Sequence, residues 1–186
     1  MISSKKEYYE YLNADKIALR KTYKKPKMLH DVIWKYEILL RKCEYYQNCK
    51  LGIVNKIIEK YLKMRFVKLG QKLGFSIPLN VFGKGLYIAH YGSIVVNNKA
   101  VIGDYCRIHE GVCIGADGVD SAPQIGNRIF IATGAKIIGN VRIADGVAIG
   151  ANAVVVKDIT EPNTTWAGAP ARKISDNGSK KYIREE

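Results

Sequence analysis

The chain of 186 residues lacks several things, and each lack removes a class of protein. No apolar run approaches the roughly 18 residues of a membrane-spanning helix. The opening M-I-S-S-K-K-E-Y-Y-E carries no apolar signal-peptide core, so the expected location is the cytoplasm. No pair among Cys43, Cys49, Cys106 and Cys113 has the two-residue spacing of a zinc knuckle, and the four are read as reduced thiols. No nucleic-acid motif accompanies the basic charge, and the aromatic residues fall at core spacing rather than as a stacking platform, so nucleic acid is not an expected partner. What the chain does have is 47% hydrophobic residues, too many for a disordered chain and enough for one core.

The net charge of +13 is unevenly spread. Residues 1–75 hold 18 Lys and Arg against 7 Asp and Glu, whereas residues 76–186 hold 12 against 10. Eight of the twelve tyrosines also fall in the first part. The chain therefore divides into a basic region 1–75, a central region 76–160, and a segment 161–186 containing E-P-N-T-T-W-A-G-A-P-A-R-K-I and a charged tail.

The central region repeats. Aliphatic residues recur every six positions at Val96, Ile102, Ile108 and Ile114, then at Ile125, Ile131, Ile137, Ile143, Ile149 and Val155. A companion column runs two residues ahead through Ile94, Ala100, Cys106 and Val112, then Ile129, Ala135, Val141, Val147 and Ala153. Neither period 2 nor period 3.6 holds that register. Three hexapeptides closing one triangular coil do, which is a parallel β-helix whose coils cover one another and whose ends need caps. Between Ile114 and Ile125 the period fails at G-A-D-G-V-D-S-A-P-Q (115–124), read as a loop extruded from the stack and a place for function. The basic first part reads as helices, with apolar residues at helical spacing over 28–43 and 55–70 and Gly70 or Gly74 ending the second. Its charge is read chiefly as a solvated face on a cap; attraction to anionic lipid or to phosphates is the alternative.

Three histidines are present, His30, His90 and His109, with no pair five residues apart, so a three-histidine zinc site is not expected. His90 stands in the aliphatic column six residues before Val96, where an imidazole needs a partner or a cleft. Histidine suits proton abstraction near neutrality. His109 follows Ile108 at a corner, one coil and one position beyond His90, so the two are expected near one another on stacked turns or across a subunit interface. Glu110 beside it is placed to orient an imidazole.

The segment G-K-G-L-Y-I-A-H-Y-G-S-I-V-V (83–96), the ladder, the 115–124 loop and W-A-G-A-P-A (166–171) resemble the hexapeptide-repeat acyltransferases, in the branch of serine acetyltransferases and polysaccharide O-acetyltransferases. The resemblance implies a mainly β fold, a left-handed parallel β-helix with an N-terminal α-helical region. It also implies a homotrimer, acetyl-CoA as co-substrate in a cleft between subunits, and no metal. On that pattern His90 is the catalytic base. Ala116, Thr133 and Ala151 match the small corner residues whose amides hold the coenzyme, with Arg172 and Lys173 as phosphate contacts. Where serine acetyltransferases carry an acid, a second acid and a histidine, this chain has Phe75, Ala89 and Ala122. Losing an ionic partner from a zwitterion's site costs several kcal/mol. The expected acceptor is therefore a sugar hydroxyl on a glycan or its precursor, in surface-polysaccharide synthesis, with peripheral membrane association as a further expectation. Serine O-acetylation for cysteine biosynthesis and a non-catalytic trimeric scaffold are the alternatives.

Overall fold

In a computed structural model, which describes residues 1–186 apart from Leu29, Val119, Asp120 and Glu186, the six-residue columns close into one core. All ten ladder aliphatics are at most 4% exposed, and so is every residue of the companion column. Burying an aliphatic side chain of this size contributes about 1.5–3 kcal/mol, so the paired columns are the main source of cohesion.

The strands stack into three parallel faces. One is built from Phe75–Ser76, Ile94–Val96, Cys113–Gly115, Lys136–Ile138 and Val154–Val155. The second holds Val101–Ile102, Gln124–Ile125 and Arg142–Ile143, and the third runs from Tyr87–Ile88 through Arg107–Ile108, Phe130–Ile131 and Ala148–Ile149 to Thr165–Ala167. Register advances by eighteen residues per coil, as from Gln124 to Arg142, Phe130 to Ala148 and Lys136 to Val154. Across the loop it advances by twenty-three, as from Cys113 to Lys136 and Arg107 to Phe130. The loop thus leaves the stack without disturbing the core columns. Ala122 is buried at its return, while Val119 and Asp120 lie outside the described residues. The fold is the left-handed hexapeptide-repeat β-helix, of about five turns, with three helices before it.

The first coil departs from the expected register. Ile88, 1% exposed, pairs with Ile108, and His90 is exposed at the following corner instead of occupying the column. Tyr87 and Arg107 are twenty residues apart, two more than a standard coil. The surplus sits in the turn at Tyr91–Gly92, where Gly92 donates its N–H to the Leu73 carbonyl.

Three helices close the open end. Helix α1 spans Lys5–Ala18, with the Ser4 hydroxyl accepting from the Glu7 N–H, and was not singled out by the sequence pattern. Helix α2 spans Val32–Cys49, later than 28–43, because the chain before it is gathered around Asp31. The Asp31 carboxylate accepts from Lys21 Nζ, Tyr23 OH and the Lys27 N–H. Helix α3 spans Ile53–Leu73 and ends at Gly74, whose φ of 82° suits glycine. A Cβ there would lie 2.9 Å from the Gly92 carbonyl carbon, so the close approach also requires glycine.

A β-helix end exposes unpaired backbone groups, and here buried side chains of α1 and α2 meet them. Arg41 donates to the carbonyls of Phe82 and Gly83 at 3.0 and 2.6 Å. Carboxylate oxygens of Asp15, Glu37 and Glu44 accept from the N–H groups of Leu86, Ile88 and Asn80. Arg41 is 0% exposed and also bonded to Asp15 and Glu44, at 2.8 and 3.0 Å, so its charge is matched where it is buried. Each backbone group left unmet would cost about 1–3 kcal/mol. At the other end Arg172–Ser175 pairs antiparallel with Thr165–Ala167, and the polypeptide then folds back so that Tyr182 stacks on Phe130 at 4.0 Å.

Candidate active site

The ladder dictates where the polar residues fall. With Ile88 and Ile108 fixed inward, Tyr87 and Arg107 point outward on the same face, and His90 and His109 lie at the corner beyond. The two imidazoles meet edge to face with centroids 5.7 Å apart, so the sequence expectation of neighbouring histidines on stacked turns describes their positions within one subunit. Phe130, on the next coil, holds the other side of His109 at 5.3 Å.

Glu110 completes the group. Its Oε1 accepts from Thr133 Oγ1 at 2.7 Å, which fixes the carboxylate. Its Oε2 is buried without a partner, 4.0 Å from His109 Nδ1. Among the described residues only four buried side-chain N or O atoms lack a partner, and three belong to this segment: Arg107 Nε, His109 Nε2 and Glu110 Oε2. Buried polar groups are normally satisfied, so these three atoms are left for water, a ligand or a neighbouring subunit to meet. Burial, then the nearby Arg107 charge, lowers the proton affinity of His109 below that of an ordinary histidine. The Thr133 hydrogen bond, foremost among several, holds Glu110 below the ordinary carboxylate range, so it is a fixed negative charge beside two imidazoles.

His90, His109 and Glu110 are also a metal-capable set, with donor atoms within 4.8 Å of one another. A tetrahedral zinc site with bonds of about 2.0–2.2 Å needs its donors about 3.4 Å apart. The 4.0 Å between His109 and Glu110 is wider than that spacing.

On its other side His90 borders a cavity of about 240 Å³ between the coil and the helices, lined among others by Lys21, His30, Asp31, Trp34 and Ala89. Sequence reasoning missed Lys21, Asp31 and Arg107. The first two lie at the ends of the Lys-rich connector before α2, which reads as a solvated charge run until Asp31 gathers it. Arg107 was an anonymous outward ladder position. In the structure its guanidinium lies over Tyr87 at 4.6 Å and Phe130 at 5.6 Å and donates to the Tyr182 carbonyl.

The residues expected to hold the coenzyme are partly brought together. Gly134 donates to the Glu110 carbonyl and Asn152 to that of Thr133, so Glu110, Thr133 and Ala151 follow one another down a single corner of the stack. Ala116 lies on a different corner, where Gly139 donates to the Gly115 carbonyl. Arg172 is exposed near the end of the stack. Lys173 is paired with Glu161 and Asp176 at 2.5 and 2.7 Å, so a phosphate there would compete with two carboxylates.

The ladder defines a hexapeptide-repeat β-helix, and the chain is similar to the serine acetyltransferases. It is 37% identical over 99 residues to the serine acetyltransferase of Synechococcus elongatus, covering 52% of this chain and 40% of the relative. It is 36% identical over 126 residues to that of Staphylococcus aureus strain Mu50, covering 64% and 59%. The chain thus spans between about two fifths and three fifths of the length of these curated relatives. The crystal structure of serine acetyltransferase from Brucella abortus superposes with a TM-score of 0.70 at 28% identity, covering 94% of this chain and 71% of that one. The same enzyme in complex with coenzyme A gives 0.71 at 27% identity, covering 94% and 70%. No family model matches the sequence.

These relatives correct the sugar-acceptor expectation, and with it the assignment to polysaccharide synthesis. The structure supplies a physical reason. Phe75 and Ala122 are 7% and 4% exposed and belong to the core, so those positions are not available to a substrate in this chain. The third position, Ala89, lines the cavity beside His90 and brings no carboxylate to it; the carboxylate grouped with the two imidazoles comes from Glu110.

Proposed function

We propose that the chain is an acetyl-CoA-dependent serine O-acetyltransferase, with His90 as general base. The observation that carries this reading is the exposed His90 set between a small cavity and the His109–Glu110 pair. The relatives named serine acetyltransferase, and the neighbour bound to coenzyme A, support the acceptor and the donor.

In the reaction, the serine hydroxyl gives its proton to His90 while its oxygen attacks the thioester carbonyl. The tetrahedral oxyanion then collapses, the carbon–sulfur bond breaks, and the departing thiolate recovers the proton from the imidazolium. The products are O-acetylserine and CoA, with no atom or electron left over. His109 and Glu110 position His90 and stabilise its charged form. Thr133, Ala151 and Ala116 contact the coenzyme from corners that a second subunit brings together, in a homotrimer, and Arg172 and Lys173 lie towards its phosphates. The protein works in the cytoplasm.

The test is thiol release from acetyl-CoA with L-serine. Serine-dependent release should fall by about 10²–10⁴-fold in His90→Ala. Undiminished release in that variant overturns the base; failure of serine to stimulate the unaltered protein overturns the acceptor. A sedimentation mass of one subunit overturns the trimer.

A further inference from the structure

Helix α3 presents apolar side chains in two directions. Leu62, Phe66 and Leu73 face the core. On the opposite side Ile53, Val54, Ile57, Tyr61, Met64 and Val67 are exposed, from 82% at Ile53 to 48% at Met64. At 100° per residue Ile53, Ile57, Tyr61 and Met64 form one stripe about 17 Å long on the 21-residue helix. Contiguous apolar surface of this kind marks an interaction site.

The charges beside the stripe select the partner. Lys60 and Arg65 flank it, Lys68 and Lys72 follow it at its C-terminal end, and Arg65 lies over the Tyr61 ring at 5.8 Å. The helix has one acid, Glu59, turned to the core side and already paired with Lys56 and Lys63. A second copy packed through the same face would oppose like charges, because an isologous contact repeats the same surface. Residues 76–186, with 12 basic against 10 acidic residues, carry no net negative charge to complement it either. An anionic lipid surface satisfies both halves of the pattern: apolar side chains enter the acyl boundary while Lys and Arg stems extend to headgroup phosphates. Among the described residues no helix is long and apolar enough to cross a membrane, so α3 would lie in the plane of the surface.

We infer that the outer face of α3 docks this protein on an anionic bilayer, with Ile57, Tyr61 and Met64 inserted and Lys60, Arg65, Lys68 and Lys72 at the phosphates. The experiment is flotation with vesicles of phosphatidylcholine, with and without phosphatidylglycerol. The unaltered protein should float with the mixed vesicles and not the neutral ones. Release is expected near 1 M salt, where the Debye length falls to about 3 Å. The double variant Ile57→Glu/Met64→Glu should lose binding about tenfold or more while keeping its circular dichroism and its serine-dependent thiol release, which separates this proposal from the catalytic one. Should that variant misfold, Lys60→Glu/Lys68→Glu at exposed sites serves with the same expectation. Absence of flotation, binding unchanged in the variants, or a lipid-free sedimentation mass that falls in Ile57→Glu/Met64→Glu with flotation intact overturns the proposal, the last by making the stripe a contact between copies.

Discussion

His109 shows how a corner residue acquires chemistry from its surroundings. Burial and Arg107 lower its proton affinity in the folded state. The unfolded chain therefore binds a proton more readily, so this contribution to stability is present above the ordinary histidine value of about 6.5 and is lost as the pH falls through the lower folded value. The melting temperature of His109→Asn should accordingly fall less steeply below about pH 6.5 than that of the unaltered protein; an equal acid slope would remove His109 from the account. The acid limb of kcat/KM should shift too, because His109 faces His90 at 5.7 Å between ring centroids. Much of this was legible in the sequence, since the ladder fixed which residues face in and brought both histidines to one end of the coil. The orientation of His90 was not legible. A two-residue surplus in the first coil turned it outward, and six-residue counting has no means of detecting a longer coil before the repeat begins.

Two of the three helices were legible as helices, but their attachment was not. Apolar spacing marked α2 and α3, whereas α1, with Tyr11, Ala14 and Ala18 as its buried apolar residues, offers too little pattern. The contacts that join helices to coil are polar and far apart in sequence, as with Asp15 to Leu86 and Arg41 to Phe82, and no local rule pairs them. Their weight is testable. Arg41→Ala leaves Asp15 and Glu44 buried without their cation and two carbonyls unmet, and should destabilise by about 3–5 kcal/mol in denaturant unfolding. Arg41→Lys should not restore it, since one ammonium cannot reach four acceptors held by a planar fork. Glu37 behaves differently. Burial, then the Asp15 charge, pushes its carboxyl well above the usual range, and its Oε2 has no partner. A raised folded value means that its contribution is present below about pH 4.3 and is lost as the pH rises through the folded value. Thermal melts of Glu37→Gln should therefore show a smaller decline towards alkaline pH than those of the unaltered protein; an identical decline would mean Glu37 is ionised throughout.

Taken as one molecule, the protein is a stack whose stability is set by nearest neighbours and by its ends. The sequence has two compositions, one nearly neutral and one strongly basic, but composition could not say that the basic part is the lid of the stack. The structure makes that lid continuous with the first coil, through Arg41, Asp15, Glu37 and Glu44, all at most 2% exposed. Helices and coil are then expected to unfold together, and shortening the chain tests it. Removing residues 1–18 deletes few buried apolar side chains, since the cluster around Tyr11 and Tyr45 is small. By apolar burial alone the remaining stack should lose little. Asp15 goes with the deleted helix, however, leaving the Leu86 N–H without its acceptor and Arg41 short of its principal counter-charge inside the core. The shortened protein should melt in a single transition at a markedly lower temperature, with hydrogen exchange rising first at Leu86 and Ile88 and least at Ile131 and Ile149 in the middle of the stack. A melting temperature unchanged by the deletion would show that α2 alone caps the coil and that the buried charges of α1 are dispensable.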